Sequence, residues 1–250
     1  MLITDYSKIA ENYDKNKARH KIQFDPLIKD MYEQDNNDFT VLDLSCGTGN
    51  YLAKQIFEYQ KPHYRIKWIG IDKSKDMLKV AQTKKIDAKL ILADAMDIPL
   101  KNNSVNYINN RNAFHHYTDK EKAIAEMHRI LKHKGKIYSE NASHEYVKYS
   151  WLYKYFPNAK EIDKERKPQI SDYYMMFENC GFKVKLEVLI TTKKCLYENI
   201  IDVVLNKDMS QLQLLTEQEY KDGLNKIIKD SVHKYLFVDF ALLKIICEKI

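Results

Sequence analysis

The sequence predicts an α/β protein, with helices on both faces of a mostly parallel sheet. Apolar, strand-like segments alternate with amphipathic, helix-like segments from about residue 40 onward, and such alternation is typical of parallel sheets. The first of these strands also runs directly into a turn that contains two of the six glycines. At 250 residues and 44% hydrophobic content, the chain is expected to form one domain over 1–250.

The elements are predicted in chain order. A helical N-terminal cap covers 1–37; its second helix begins at Asp25-Pro26, with Asp as N-cap and Pro as first helical residue. The seven predicted strands cover 40–44, 66–71, 88–93, 105–109, 137–140, 182–190 and 235–247. Helical insertions follow the fifth and sixth strands, over 143–170 and 191–232, and we expect them to act as lids.

The glycine turn lies in Val41–Asn50, between the first strand and a helix. Glycine permits positive φ and close approach of the backbone to a ligand, and the helix start offers free N–H groups. The second strand ends in Asp72, an acid suited to bind ribose hydroxyls. Strand, glycine turn, helix, strand and acid together predict a nucleoside cofactor site.

Three cofactor classes compete for this site. A dinucleotide site requires G-x-G-x-x-G/A, whereas Gly47 and Gly49 are followed by Leu52. A phosphate loop requires a lysine directly after its last glycine, and Asn50 stands there. S-adenosylmethionine requires close backbone approach without a pyrophosphate cradle, so this interpretation is preferred over NAD.

The chain resembles the class I S-adenosylmethionine-dependent methyltransferases, in particular the ubiquinone/menaquinone-biosynthesis-like subgroup. Asp43–Gly49 is similar to motif I, with Ser45 in place of its first glycine, and Gly70–Ser74 is similar to the acidic end of the second strand. Leu92–Pro99 is similar to the third motif, and Asn112–Tyr117 with Ala125–Gly135 is similar to the segment that follows. The resemblance covers residues 5 to 140 and implies a Rossmann-like seven-stranded sheet.

The resemblance also implies which residues bind the cofactor. Asp72 is expected at the ribose, Asp94 with Ala95 at the adenine, and Asp43 at the methionyl ammonium group. Met77 is expected to pack on the adenine, and Tyr13 and Arg19 to lie near the cofactor carboxylate. The full predicted set is Tyr13, Arg19, Asp43, Ser45, Gly47, Gly49, Asp72, Lys73, Met77, Asp94, Ala95, Met96, Asn110 and Arg111.

His115 and His116 are the candidate catalytic residues, because histidine titrates near neutral pH and can accept a proton from an acceptor group. Tyr146, Trp151 and Tyr153 in the first insertion are predicted to contact the substrate, since aromatic rings with polar tips suit a partly aromatic ligand. No set of residues has metal-ligand spacing, so no metal is expected.

The composition constrains partners and location. The net charge of +6 comes mainly from lysine, which favours a solvated surface over a nucleic-acid face. Four scattered cysteines and the lack of a signal peptide or membrane span favour reduced thiols in the cytoplasm. We therefore expect methyl transfer to a small or medium organic acceptor, with S-adenosyl-L-homocysteine as co-product. An RNA methyltransferase and a non-catalytic subunit of this fold remain alternatives, and the oligomeric state is open.

Overall fold

A computed structural model describes residues 4–6, 9–14, 22–34 and 38–250. Among them, seven strands form one sheet in the order β3-β2-β1-β4-β5-β7-β6. The strands are β1 Phe39–Leu44, β2 Ile66–Asp72, β3 Lys89–Leu92, β4 Val105–Arg111, β5 Leu131–Asn141, β6 Phe182–Leu196 and β7 Tyr235–Lys249. The strands β1 to β5 pair in parallel, and β7 is antiparallel to both β5 and β6. The predicted fold class is confirmed.

Helices cover the two faces of this sheet. In chain order they are α1 Ala10–Tyr13, α2 Pro26–Gln34, α3 Asn50–Glu58, α4 Lys75–Thr83, α5 Lys120–Ile130, α6 Leu152–Tyr155, α7 Pro157–Arg166, α8 Ile170–Asn179, α9 Tyr197–Leu205 and α10 Glu217–Asp230. On one face, buried Ile28 and Leu52 from α2 and α3 pack against Val41 of β1. On the other, Ile124 and Phe177 from α5 and α8 pack against Ile108 of β4.

Three strand boundaries correct the sequence predictions. β4 continues to Arg111, so Asn110 and Arg111 lie in the strand rather than after it. β5 begins at Leu131 and contains an irregularity, because Val105 pairs with Leu131 whereas Tyr107 pairs with Lys136. β6 continues to Leu196, so the first residues of the predicted insertion 191–232 extend the sheet and pair with β7.

The outer halves of β6 and β7 form a two-stranded arm. β7 pairs with β5 only over Leu243–Glu248, whereas its pairing with β6 runs from Tyr235 to Lys249. Residues 189–196 and 235–242 therefore extend beyond the rest of the sheet. The arm contains many β-branched and aromatic residues, and these residue types prefer an extended backbone.

The two insertions form one helical lobe on this arm. Buried side chains of α6, α7, α9 and α10 share a core with Val238 of β7; the set is Leu152, Tyr155, Phe156, Ala159, Tyr197, Ile200, Val204, Leu212, Ile227 and Val238. The contact of α10 is close, since a Cβ at Gly223 would lie 2.1 Å from Cε1 of Phe156. The sequence analysis predicted two lid insertions, whereas the insertions pack together as a single unit.

Candidate active site

A cleft of about 1040 Å³ lies at the carboxyl ends of the parallel strands. In open α/β sheets, ligands bind at this edge. One half of the cleft is lined from β1, β2 and the segment after β3, including Gly47, Asp72 and Asp94. The other half is lined by His116 and by Leu189, Lys193, Leu242 and Lys244 of β6 and β7. Because β2 and β6 lie on opposite sides of β1, the cleft has two chemically different ends.

The glycine turn takes a left-handed backbone path between β1 and α3. Ser45, Gly47 and Gly49 have φ values of 62°, 53° and 75°. Serine at such an angle is strained, whereas glycine is not. Ser45 gains a hydrogen bond in exchange, because its Oγ lies 2.8 Å from the hydroxyl of Tyr117.

Asp72 at the end of β2 is bound to this turn through backbone amides. Its Oδ2 accepts from the N–H of Gly47 at 2.8 Å, and its Oδ1 accepts from the N–H of Ser74 at 2.8 Å. Burial raises the pKa of Asp72, and these backbone hydrogen bonds act in the opposite direction. The carboxylate is therefore fixed in orientation beside the glycine turn.

Asp43 is the most buried acid of the cleft and belongs to a hydrogen-bonded network. Asn109 Nδ2 donates to Asp43 Oδ1 at 2.6 Å, and Arg111 Nε donates to Asn109 Oδ1 at 2.7 Å. Burial raises the pKa of Asp43 to about 7, because ionisation costs more in a low-dielectric site. Asp43 thus titrates near neutrality while facing the cleft.

Arg111 has the role of a structural support rather than a free cation. Its guanidinium lies 3.1 Å from Glu140 and 3.7 Å from buried Asp25, and it packs between the rings of Tyr51 and Tyr138. These contacts fix Arg111 at the cleft floor, and Arg111 in turn fixes Asn109.

The two histidines differ in position. His116 lines the cleft, and its Nε2 lies 2.7 Å from the hydroxyl of Tyr6. Burial, followed by the charge of Arg166, lowers the pKa of His116 to about 3. Burial and then the neighbouring His116 lower the pKa of His115 well below its usual value, and His115 is not part of the cleft lining. His116 is therefore neutral and weakly basic at physiological pH.

The N-terminal segment contacts the glycine turn through Asp14. Its Oδ1 accepts from Thr48 Oγ1 at 2.7 Å and from Asn50 Nδ2 at 2.8 Å, and its Oδ2 lies 2.7 Å from Lys84 Nζ. Thr4, Tyr6 and Tyr13 of the same segment line the cleft. Arg19, which the sequence also predicted here, lies outside the described residues.

Most of the predicted cofactor residues come together in the cleft. The lining includes Tyr13, Asp43, Ser45, Gly47, Asp72, Lys73, Met77, Asp94, Ala95 and Arg111. Gly49, Met96 and Asn110 lie behind it. Gly49 is the N-cap of α3, Met96 Sδ accepts hydrogen bonds from the start of α5, and Asn110 Nδ2 donates beneath the floor to Leu44 O and Tyr117 OH.

The structure does not bring Tyr146, Trp151 and Tyr153 to the cleft lining. Tyr146 packs on Tyr149, Trp151 packs on the core of the lobe, and the hydroxyl of Tyr153 donates to Asp163.

Several lining residues were missed by the sequence analysis. Asn109 and Glu140 lie near the carboxyl ends of β4 and β5, and Tyr117 lies in the segment after β4; strand ends in a parallel sheet converge at one edge. Leu189, Lys193, Leu242 and Lys244 depend on antiparallel pairing between strands about fifty residues apart, which no local pattern indicates.

Two searches of the described part of the chain gave no candidates. No group of three or more His, Cys, Asp or Glu residues there is placed to hold a metal ion. No helix there is long and apolar enough to cross a membrane.

Comparison with known proteins gives a consistent result. The sequence model of the methyltransferase domain family matches residues 42–139. The chain is 27% identical over 226 residues to a demethylmenaquinone methyltransferase of Oceanobacillus iheyensis, covering 73% of this chain and 87% of the relative. A demethylmenaquinone methyltransferase of Thermotoga maritima is 28% identical over 135 residues, and this match covers only 53% of this chain and 57% of that relative.

Structural comparison shows the same fold. A protein of Anabaena variabilis, named as a methyltransferase from an antibiotic biosynthesis pathway, superposes with a TM-score of 0.67 at 16% identity, covering 90% of this chain and 98% of that one. The matched domain includes the glycine turn, Asp72 and Asp94. Residues 42–139 thus match a methyltransferase domain, and the chain has the fold of the methyltransferase structure that it resembles.

Proposed function

We propose that this protein transfers a methyl group from S-adenosylmethionine to a small or medium organic acceptor. The observation that carries the proposal is the single cleft with an acidic end and a mixed apolar and basic end. Its volume of about 1040 Å³ is at the upper limit for one small ligand, roughly 300–1,000 Å³. This is consistent with a cofactor and a modest acceptor bound side by side.

The acidic end fits the cofactor. A Cβ at Gly47 would meet no atom within 4 Å, so open space adjoins the turn where a ligand must approach the backbone. In the proposal, Asp72 binds the ribose hydroxyls, Asp94 binds the adenine amino group, and Met77 packs on the ring. Charge-assisted hydrogen bonds to carboxylates are strong enough to dominate such binding.

Asp43 is proposed to bind the methionyl ammonium group. A carboxyl whose pKa lies near 7 is readily ionised by a cation placed beside it. Asn109 and Arg111 hold Asp43 in position through the hydrogen bonds described above. Ser45, Lys73, Ala95 and Tyr13 complete the proposed cofactor contacts.

The protein's contribution to the reaction is mainly positional. When bound, the cofactor supplies a methyl group on a positively charged sulfur, which activates that group for displacement in line. The cleft walls orient the acceptor and exclude water, and orientation alone accounts for a large share of many enzymatic rate enhancements. His116 shares a hydrogen bond with the hydroxyl of Tyr6, and its lowered pKa keeps it neutral at physiological pH, so its proposed role is to position the acceptor.

The segments that line the cleft support a small acceptor. Residues 4–6, 13, 22 and 23 of the N-terminal segment line the cleft, and so do Leu189, Lys193 and Leu242 of the arm. The name of the two relatives, demethylmenaquinone methyltransferase, also supports a small-molecule acceptor. The proposal retains the cytoplasmic location favoured by the free cysteines.

Calorimetry with S-adenosylhomocysteine tests the part of the proposal that concerns the cofactor. Asp72→Ala should weaken binding by about 1.5–3 kcal/mol, the scale for hydrogen bonds to a charged group. Asp87→Asn is the matched control, because Asp87 is exposed and lies outside the cleft lining. Tight NAD binding without a response to S-adenosylhomocysteine would contradict the assignment.

A turnover screen tests the part of the proposal that concerns the methyl acceptor. Methyl transfer is measured against a metabolite library and, separately, against total RNA. Turnover of a metabolite is the expected result. Methylation of RNA with a steep salt dependence would replace the small-molecule proposal, and cofactor binding without any turnover would favour a non-catalytic subunit.

A further inference from the structure

The arm contributes a pair of leucines to the wall of the cleft. Leu189 of β6 lies directly opposite Leu242 of β7, and both side chains line the cleft. Leu189 is 46% exposed, so much of its apolar surface is open to a ligand. Removal of such surface from water favours binding. This leucine pair is therefore suited to contact an apolar part of the methyl acceptor.

A cation, Lys193, lies further along the same face of the arm. Successive side chains of a strand point to opposite faces, so Leu189 and Lys193, which are four residues apart, share one face. Both line the cleft, whereas Lys194 does not. Lys193 Nζ lies 5.3 Å from the ring centre of Phe240, which is opposite Thr191 on this face. The ring of Phe240 thus continues the apolar surface from the leucine pair to the ammonium group.

The charge of Lys193 is not compensated by its cross-strand neighbours. Val238 lies directly opposite Lys193, and the two β7 residues that flank Val238 on this face are also apolar. Lys244, the cleft-lining cation at the base of the arm, differs in this respect. Glu140 of β5 and Glu187 of β6 lie directly opposite it on either side. The positive charge of Lys193 is therefore the more available of the two to a ligand in the cleft.

The spacing along β6 also constrains the shape of such a ligand. The four residues from Leu189 to Lys193 correspond to about 13 Å of extended strand. The lysine side chain can bend back over part of this length, because its stem is flexible. A ligand that contacts both the leucine pair and the ammonium group must still be elongated.

We propose that the methyl acceptor is an elongated amphipathic anion, whose apolar body lies on Leu189 and Leu242 and whose carboxylate or phosphate is bound by Lys193. This inference rests on the proposed function, since it concerns the acceptor of that reaction. An ammonium group is a point charge with three donors, so it can bind either anion without a fixed geometry. Lys193 and the leucine pair then determine specificity and take no part in the displacement at the methyl group.

The test uses the full chain saturated with S-adenosylhomocysteine. Octanoate, octyl phosphate and octanamide are titrated by calorimetry at low salt; all three carry an eight-carbon chain, and octanamide is uncharged. The better of the two anions should bind about threefold to fivefold more tightly than octanamide, the scale of an exposed ion pair. Which anion binds more tightly identifies the group as carboxylate or phosphate. Added salt should reduce the preference, because it screens exposed charges.

Three variants separate the charge from the apolar surface. Lys193→Met should abolish the preference for anions by weakening anion binding alone. Lys194→Met is the matched control, because Lys194 is the next residue, lies outside the cleft lining and likewise lies over a ring, 3.9 Å from that of Tyr235. Leu189→Ser should weaken binding of all three ligands by a similar factor and leave the preference for anions in place.

Several outcomes would overturn the inference. They are the absence of binding by all three ligands, equal binding of anions and octanamide by the wild type, an unchanged preference in Lys193→Met, and loss of the preference in Lys194→Met. Both lysines are exposed, so neither substitution should impair folding. S-adenosylhomocysteine should bind all variants as it binds the wild type. Failure of the wild type to bind S-adenosylhomocysteine would instead overturn the proposed function.

Discussion

The hydroxyl oxygen of Ser45 lies 2.8 Å from the hydroxyl oxygen of Tyr117 and joins the glycine turn to the segment after β4. Asn110 Nδ2 also donates to Tyr117 OH, at 2.7 Å. Tyr117 accepts that bond, and either hydroxyl of the Ser45–Tyr117 pair can donate to the other. This pairing gives a reason for serine at a position where the family has glycine.

Substitutions of Ser45 and Tyr117, singly and together, test this hydrogen bond. Tyr117→Phe should destabilise the fold by about 1–2 kcal/mol, because buried Asn110 and Ser45 each lose a partner. Ser45→Gly should change stability less, since relief of a left-handed serine, about 1 kcal/mol, offsets the lost bond. Urea unfolding of both single variants and the double variant gives the coupling energy. Strictly additive effects would mean that the two hydroxyls do not interact.

The pKa of Asp43 predicts two opposite pH dependences. Burial raises this pKa from 3.8 to about 7, so between those pH values the folded state holds a proton that the unfolded state releases. The contribution of Asp43 to stability therefore falls as pH rises from about 4 to 7. Urea unfolding at pH 5 and pH 8 should show this loss relative to Asp43→Asn.

The affinity for S-adenosylhomocysteine should change in the other direction. An ammonium group requires ionised Asp43, so affinity should rise with pH below 7, by at most about tenfold per pH unit for one proton. Calorimetry across this range, with Asp43→Asn as the control, measures the slope. An identical slope in that variant would show that another group titrates.

Alanine substitutions at Gly47 and at Gly70 are expected to impair different properties, ligand binding and stability respectively. Alanine at Gly70 would place Cβ 2.7 Å from Leu52 Cδ1 and 2.8 Å from Leu90 Cδ2, so Gly70→Ala should cost about 1–3 kcal/mol of stability. Alanine at Gly47 meets no atom within 4 Å but extends toward the ligand, at a φ of 53°. Gly47→Ala should thus weaken S-adenosylhomocysteine binding at least tenfold with a smaller loss of stability. Thermal unfolding and calorimetry on both variants separate the effects, and a reversed order would contradict the assignment of the turn.

The lining of the proposed cofactor half could be predicted because its residues follow strands along the chain. Gly47, Asp72 and Asp94 each come directly after an apolar segment, and parallel strands bring their ends together. The acceptor half could not be predicted in this way. Leu189 reaches the cleft only because it pairs with Leu242 across the arm, and that contact depends on long-range register.

The aromatic residues that were predicted to contact the substrate do not line the cleft, for a related reason. Tyr146, Trp151 and Tyr153 have the composition of a binding surface, but composition does not state which way a helix faces. The lobe uses the apolar area of Trp151 and Tyr153 for its own core, Tyr146 packs on Tyr149, and Tyr153 uses its hydroxyl to bind Asp163. The burial of Arg166 could not be predicted either, because nothing in the sequence indicates that a charged residue near the end of a polar helix is buried.

The separate core of the helical lobe has a consequence for how the protein opens. Its buried side chains contact one another and Val238, and they form a cluster distinct from the two that flank the sheet. A unit with its own core can unfold or detach locally at a lower free energy than the whole domain. We therefore expect the lobe to open locally while the sheet and its glycine turn stay ordered.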